Sequence, residues 1–381
     1  MSFQHFHITS KSSAWFPTNL PGCVLWLDAG QGITKDGSNY ISLFGDQSGQ
    51  ANNASQATGT NQPLWVDNQL NGKPIVRFDG SNDFMAFPSG FLYNLADISF
   101  FIVIKPFSSG NQGVFAPSNT YSTGIELLSW TGTTHLRINN NVKYASSLMT
   151  DGVFTISDFT YNSVVTNGYR NGIALNSATG GDSLDFNGVY ALGRIYSTGY
   201  NAAFDVAEII IYDNSLSDVN RRTVEKYLAA KYGLFYNEIP VMTSDTTPSG
   251  VVTYSGQYPN YEAWKLFDKG VESGNLWITT ATLPQWVAYE FPTAKTIKKY
   301  ALTAWVIADF QPKDWKFQGW DGVNWIDLDV VTNEPVAAPQ ERRVYTIDTP
   351  ASYIKYRLYI TAVNGVAYGG VYLLELEMSE I

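Results

Sequence analysis

Short runs rich in Val, Ile, Tyr, Phe, Trp and Thr, each closed by a cluster of Gly, Asn, Ser or Asp, recur along nearly the whole chain. This punctuation restricts the fold more than any other feature. Runs of that length and β-branched content make strands, so the chain reads as all-β. The separators hold most of the 32 glycines and 16 prolines, which supply the turn positions. One segment departs from the pattern. LSDVNRRTVEKYLAAKYG (216–233) spaces Val224, Tyr227 and Leu228 along one helical face, with Ser217 placed to N-cap, Asp218 in the first turn and Gly233 at the C′ position. ISFFIVI (98–104) and VAEIIIY (206–212) are almost continuous apolar runs, which implies strands covered on both faces, one by the helix or by a partner subunit. Later, YIKYRLYI alternates. Ile354, Tyr356, Leu358 and Ile360 are expected inward, and Tyr353, Lys355, Arg357 and Tyr359 outward. YLLELEM sets Tyr372, Leu374, Leu376 and Met378 inward in the same way, a β-sandwich pattern.

A length of 381 residues suits two or three domains. NEIPVMTSDTTPSG (237–250), with two prolines and little apolar content, reads as a linker. It divides the chain into an N-terminal attachment arm (1–20), a first domain (21–236) and a second (251–381). Lys and Arg number 24 against 34 Asp and Glu, a net charge of −10, which excludes the basic footprint of a nucleic-acid binder. The single Cys23 excludes an internal disulfide framework. The opening MSFQHFHITSKSSAWFPTNLPG has no basic and then apolar signal-peptide pattern, and no apolar run is long enough for membrane insertion.

Catalytic motifs are missing. The three histidines, His5, His7 and His135, sit in no G-x-S-x-G or H-E-x-x-H context, and no phosphate-binding glycine loop occurs. Glu375, Glu377 and Glu380 in ELEMSE are spaced along the final strand and read as its solvent face rather than as a hydrolytic pair. The chain is expected not to be an enzyme. His5 and His7 share one face of an extended strand, either as metal ligands in a trimer or as the polar side of a docking strand. Asn53-Ala54-Ser55 fits a glycosylation sequon but carries no meaning without a secretion signal.

Four stretches of the first domain carry a family likeness: LPGCVLWLDAGQGI (20–33), FGDQSGQANNASQ (44–56), NGKPIVRFDGSNDF (71–84) and VAEIIIYDNSLSDVNRRTVEKYLAAKYGL (206–234). On these it resembles the concanavalin A-like, laminin-G-type lectin sandwich, which implies a jelly-roll of two antiparallel sheets. The E-x-D-x-x-E strand of hydrolytic members is absent. YEAWKLFDKG (261–270), LPQWVAYEF (283–291), PKDWKFQGWDGVNWIDLD (312–329) and VYLLELEM (371–378) make the second domain similar to a discoidin, or coagulation-factor type C, galactose-binding-like module. That resemblance implies a structural Ca²⁺ held by Asp268, Ser273 and Glu375, although DKG in place of D-G-N removes one oxygen ligand. The alternative at Asp268 is a side chain capping its own turn.

Sugars stack on aromatic rings, so the candidate ligand contacts are Trp320 beside an Asp-Gly turn, Trp305 entering VIADFQP, and the loop residues Tyr258, Tyr261 and Tyr368. Trp286, Trp315 and Trp325 fall at the family's core positions. The expectation is a non-catalytic adhesion protein of a bacteriophage virion, assembled in the bacterial cytoplasm and displayed on tail or capsid. Its arm would dock on other virion proteins, its loops would hold bacterial surface glycans, and copies would assemble as a homo-oligomer such as a trimer. Two alternatives stand beside it: a structural capsid-decorating or tail protein whose loops contact neighbouring subunits, and a bacterial surface lectin or carbohydrate-binding part of a polysaccharide-degrading system.

Overall fold

In the computed structural model of the chain, the described residues are 14–107, 112–117, 124–130, 133–138, 141–145, 148–179, 187–195, 200–270, 274–279, 282–365 and 370–381. They are all-β apart from short 3₁₀ turns and the α-helix Asp218–Tyr232. No helix among them is long and apolar enough to cross a membrane. The chain divides into two compact units, 1–168 with 176–231, and 169–175 with 232–381.

The first unit is built on Ile98–Pro106 and Ala203–Tyr212, the two nearly continuous apolar runs, paired antiparallel with Ile209 opposite Ile102. Thr155–Tyr161 flanks them on one side, Lys73–Asp79 and then Leu64–Leu70 on the other, and Cys23–Asp28 pairs onto Ala203–Tyr212. The second sheet carries Gln112–Pro117, Tyr190–Leu192, Met85–Ala86, Ala54–Ser55 and Ile41–Phe44 in that hydrogen-bonded order. The core lies between the sheets, where Phe100 meets Phe159 at 5.3 Å and, from the facing sheet, Phe115 at 5.2 Å.

The helix begins and ends at the expected signals. The Ser217 hydroxyl accepts from Asn220 N at 3.4 Å, and Gly233 takes φ +63°. Val224, Leu228, Ala229 and Tyr232 are buried, and ion pairs add to this packing. Lys231 Nζ lies 2.6 Å from Asp28 Oδ2 and 2.5 Å from Glu208 Oε2, and Glu208 Oε1 accepts from Trp26 Nε1 and Tyr227 Oη. Arg221 pairs with Glu225 at 2.5 Å and approaches Asp158 at 3.6 Å. The end of the expected arm is part of this unit. Trp15 packs on Tyr227 at 5.2 Å, and Tyr212 Oη donates to Pro17 O. His5, His7 and the rest of the arm lie outside the described residues, as does the His135 side chain.

The second unit is a sandwich of a five-stranded sheet, ordered Val251–Tyr254, Gln285–Thr296, Ser352–Val363, Pro312–Trp320 and Trp325–Val331, with a four-stranded sheet, ordered Trp277–Ile278, Tyr372–Ser379, Lys299–Ala304 and Arg342–Thr346. Trp315, Phe317, Tyr300, Tyr356 and Leu358 fill the space between them. Tyr300 and Phe317 stack at 4.3 Å, and the Tyr300 hydroxyl accepts from Trp315 Nε1 while donating to Asp329. The segment 237–250 is no free linker: Ile239 and Met242 are buried in this core, and Glu238 N donates to Met378 O.

Alternation fails in two places. Ile354 is exposed, and Tyr353 turns onto the core instead, because the partner strand bulges between Glu290 and Lys295 and shifts the register there. In the last strand a second irregularity, opposite Thr303 and Ala304, sends Leu373 into the main core and Leu374 into a separate cluster, with Tyr372 only half-buried. Glu375 and Glu377, expected on a solvent face, are buried, and Glu377 is held by Arg342 at 2.6 Å. Tyr353 finds its place only because residue 319 is glycine: a Cβ there would lie 2.2 Å from the tyrosine ring. Gly319→Ala is expected to cost about 1–3 kcal/mol as the ring is forced aside. A urea midpoint equal to that of the parent protein would contradict this.

Candidate functional site

The sequence candidates separate in space. Strand Pro312–Trp320 ends at Trp320 and begins just after the Trp305 loop. Its nine residues span roughly 26 Å at 3.3 Å per residue, so the two tryptophans belong to opposite ends of the second unit. Trp320 is not an isolated tip. It pairs across the hairpin with Trp325, with ring centroids 5.2 Å apart, and is partly buried in its own domain. Of the three expected core tryptophans only Trp315 is buried. Trp286 and Trp325 lie half-exposed on strand positions that alternate away from the core. On that outer face the Arg357 guanidinium sits 4.2 Å from the Trp325 ring and 4.7 Å from that of Tyr359, donates to Gln318, and is pushed below the usual arginine value by its burial. Gln318 and Lys316 in turn donate to Asp327.

At the other end three candidates come together. Leu276, Ile278 and Leu374 form a small apolar base on which Tyr261, Trp305 and Tyr372 pack. Tyr258 N donates to Ile278 O, Tyr261 N to Tyr258 O, and the two tyrosine rings lie 6.1 Å apart. Phe310 stacks on Tyr372 at 4.2 Å and closes the turn that Trp305 enters. Tyr258 is 47% exposed, with Val306 and Ile307 similarly open beside Trp305. Among the described residues, no hydrogen bond engages Tyr258 Oη, Tyr261 Oη or Trp305 Nε1. Phe310 and Tyr372 escaped sequence reasoning. Both lie inside flagged segments, Phe310 in VIADFQP and Tyr372 in YLLELEM, but nothing local marked either as a contact residue. Tyr368 lies outside the described residues.

The expected calcium site can be tested on the residues it would use. Asp268 and Glu375 do approach one another, while Ser273 lies outside the described residues. Asp268 Oδ1 accepts from Gly270 N at 2.7 Å, the turn-capping alternative. Burial raises the Asp268 carboxyl above its usual value, and burial, with Asp268 adding to it, raises Glu375 far more. Opposing this is Lys269, which takes φ +66° and tucks its side chain in until Nζ lies 3.9 Å from Glu375 Oε2, with 7% of the side chain exposed. A dication there would sit beside a buried ammonium. Among the described residues, the positive charge beside these two carboxyls is that of Lys269, and the pair by itself does not make a Ca²⁺ donor set. Among the described residues no group of three or more His, Cys, Asp or Glu side chains comes together to hold a metal.

No family model matches the sequence, and no curated protein matches it. Solved structures resemble parts of it. A family 32 carbohydrate-binding module from Clostridium perfringens, in complex with galactose, aligns at 15% identity over 34% of this chain and 92% of its own, with a TM-score of 0.28. Domain 4 of a GH43 extracellular arabinanase from Geobacillus stearothermophilus, in complex with arabinotriose, aligns at 16% identity over 54% of this chain and 98% of its own, with a TM-score of 0.40. Trypanosoma rangeli sialidase aligns at 14% identity over 55% of this chain and 33% of its own, with a TM-score of 0.41. At these levels the likenesses carry no conclusion about what this chain binds.

Proposed function

We propose that the chain is a non-catalytic carbohydrate-binding protein and that the Tyr258, Tyr261 and Trp305 end of the second unit holds the glycan. The observation that carries this reading is a set of rings fixed on an apolar base, partly open, whose polar heads have no partner among the described residues. A pyranose has the same division, an apolar C–H face and a rim of hydroxyls, and so matches both halves at once. Glu375 and Glu377 are taken up by Lys269 and Arg342 and supply no acid–base couple across a cleft.

Glycan-array screening of the full chain, followed by calorimetry on the strongest hit, tests the reading. Loss of one stacking ring is expected to weaken binding by about 1–1.5 kcal/mol, roughly tenfold, in Tyr258→Ala and again in Trp305→Ala. Tyr258→Ala should cost little thermal stability, since about half of the residue is already in solvent. Undiminished binding by the double variant would remove the site from consideration.

We also propose a setting: a virion protein assembled in the bacterial cytoplasm, with copies on a tail or capsid adding weak contacts to bacterial surface glycans. Its support is compositional, namely a single cysteine and a net charge of −10 in a chain of two sandwiches. Mass spectrometry of purified particles against envelope fractions tests it. Recovery only among exported proteins would favour the bacterial lectin alternative.

A further inference from the structure

The first unit carries a pocket that the sequence candidates did not include. It has a volume of about 480 Å³, within the range of roughly 300–1,000 Å³ usual for small-molecule sites. Three separate segments build it. Tyr40 is bridged to Leu64, Leu64 lies opposite Arg77 in the ladder, and Asn82 Nδ2 donates to Thr60 O at 2.6 Å, tying the loop after Asp79 to the 3₁₀ turn Gly59–Asn61.

The polar groups that line it are only partly used. Arg77 spends Nε and Nη2 on Asp205, at 2.7 and 2.9 Å, which leaves Nη1. Asp79 receives the backbone amides of Ser81, Asn82 and, at 3.5 Å, Asp83, all on Oδ1, so among the described residues Oδ2 has no donor. Asp83, 7% exposed, accepts from Asp79 N on Oδ2 at 3.0 Å and, among the described residues, has no donor on Oδ1. Tyr40 is 44% exposed, and among the described residues its hydroxyl has no partner.

We propose that this pocket, bounded by Tyr40, Thr60, Arg77, Asp79, Asn82 and Asp83, is a binding site for a neutral sugar. Two carboxyls with unspent oxygens take hydroxyl donors, Arg77 Nη1 and the Tyr40 hydroxyl donate hydrogen bonds to ring or hydroxyl oxygens, and the Tyr40 ring with Leu64 offers the apolar face. The guanidinium is already neutralised by Asp205, so the pocket is net acidic and turns away sugar acids and phosphates. Burial pushes the Asp83 carboxyl up to about 6, with the Asp79 amide opposing and the Asp79 charge adding, as expected of a carboxyl short of donors.

Saturation-transfer NMR on the full chain tests the site, with D-galactose, D-glucose and D-mannose as neutral probes and D-glucuronate as the acidic one. Carrying Tyr258→Ala and Trp305→Ala silences the proposed site of the second unit. In that background at least one neutral sugar should still receive transfer, falling several-fold on Asp79→Asn or Tyr40→Ala, while D-glucuronate receives much less. Both positions are exposed, so the fold should survive, and an unchanged melting temperature verifies this. Absence of transfer to every neutral sugar in that background overturns the proposal while leaving the second-unit site standing. So does transfer that is indifferent to both first-unit substitutions, or that is as strong for D-glucuronate.

Discussion

Replacing Lys231 by methionine should destabilise the protein by about 3–5 kcal/mol in urea unfolding, as expected when one partner of a buried ion network is removed. Lys231 is the cation shared by Asp28 and Glu208, which are 2% and 0% exposed. Methionine keeps most of the stem's volume, so the loss reports charge rather than a cavity. Trp26 and Tyr227 still donate to Glu208 Oε1 in the variant, but Oε2 and the Asp28 carboxylate lose the ammonium. Adding Glu208→Gln should recover part of the loss by removing one stranded charge. A cost below about 1 kcal/mol would mean that the helix is held by its other contacts, Val224 and Leu228 among them, and that the Lys231 network is incidental.

Lys269→Met is the second large effect, expected at about 3 kcal/mol near pH 8, because Glu375 is left buried without a counter-charge. The pH dependence has a definite sign. Glu375 already titrates above its unfolded value, so the stability it permits is full below the ordinary glutamate range and is lost as pH rises through the raised value. Removing Lys269 raises that value further, so the deficit of the variant should shrink steadily toward pH 5. Glu375→Gln in the same background should restore most of the alkaline loss. Millimolar CaCl₂ added to Lys269→Met separates two views of the site: recovery would mean that the carboxyls accept a dication once the ammonium is gone. Equal stability of parent and variant at pH 8 would defeat the assignment of Lys269 as their counter-ion.

What could be read from the sequence was what depends on neighbours along the chain. Strand runs, the Ser217 and Gly233 signals and the doubly covered strands around Ile102 and Ile209 are local patterns, and all appear in the fold. Loop aromatics were recognisable by residue type, and packing on Leu276, Ile278 and Leu374 explains why Tyr261 and Trp305 meet. Reading failed wherever a distant partner decides. Nothing around Ile354 announces that the strand opposite will bulge after Glu290. Glu375 and Glu377 look like a wet edge until Lys269 and Arg342 arrive from elsewhere in the fold. The DKG departure was visible as a missing oxygen ligand, whereas the inward course of its lysine depends on a left-handed backbone that composition does not reveal. Asp79 and Asp83 stood in a recognised motif, yet the pocket needs Tyr40 and Thr60, which only the ladder brings to them.

Trp325–Val331, at the rim of the five-stranded sheet, has a free backbone ladder on one side. It also carries Asp327, engaged by Lys316 on the outer surface, and Asp329, turned inward to receive the Tyr300 hydroxyl. A foreign strand trying to extend that ladder would bring its own side chains against both acids. Molecules crowded side by side would therefore not zip into a continuous fibre through this edge.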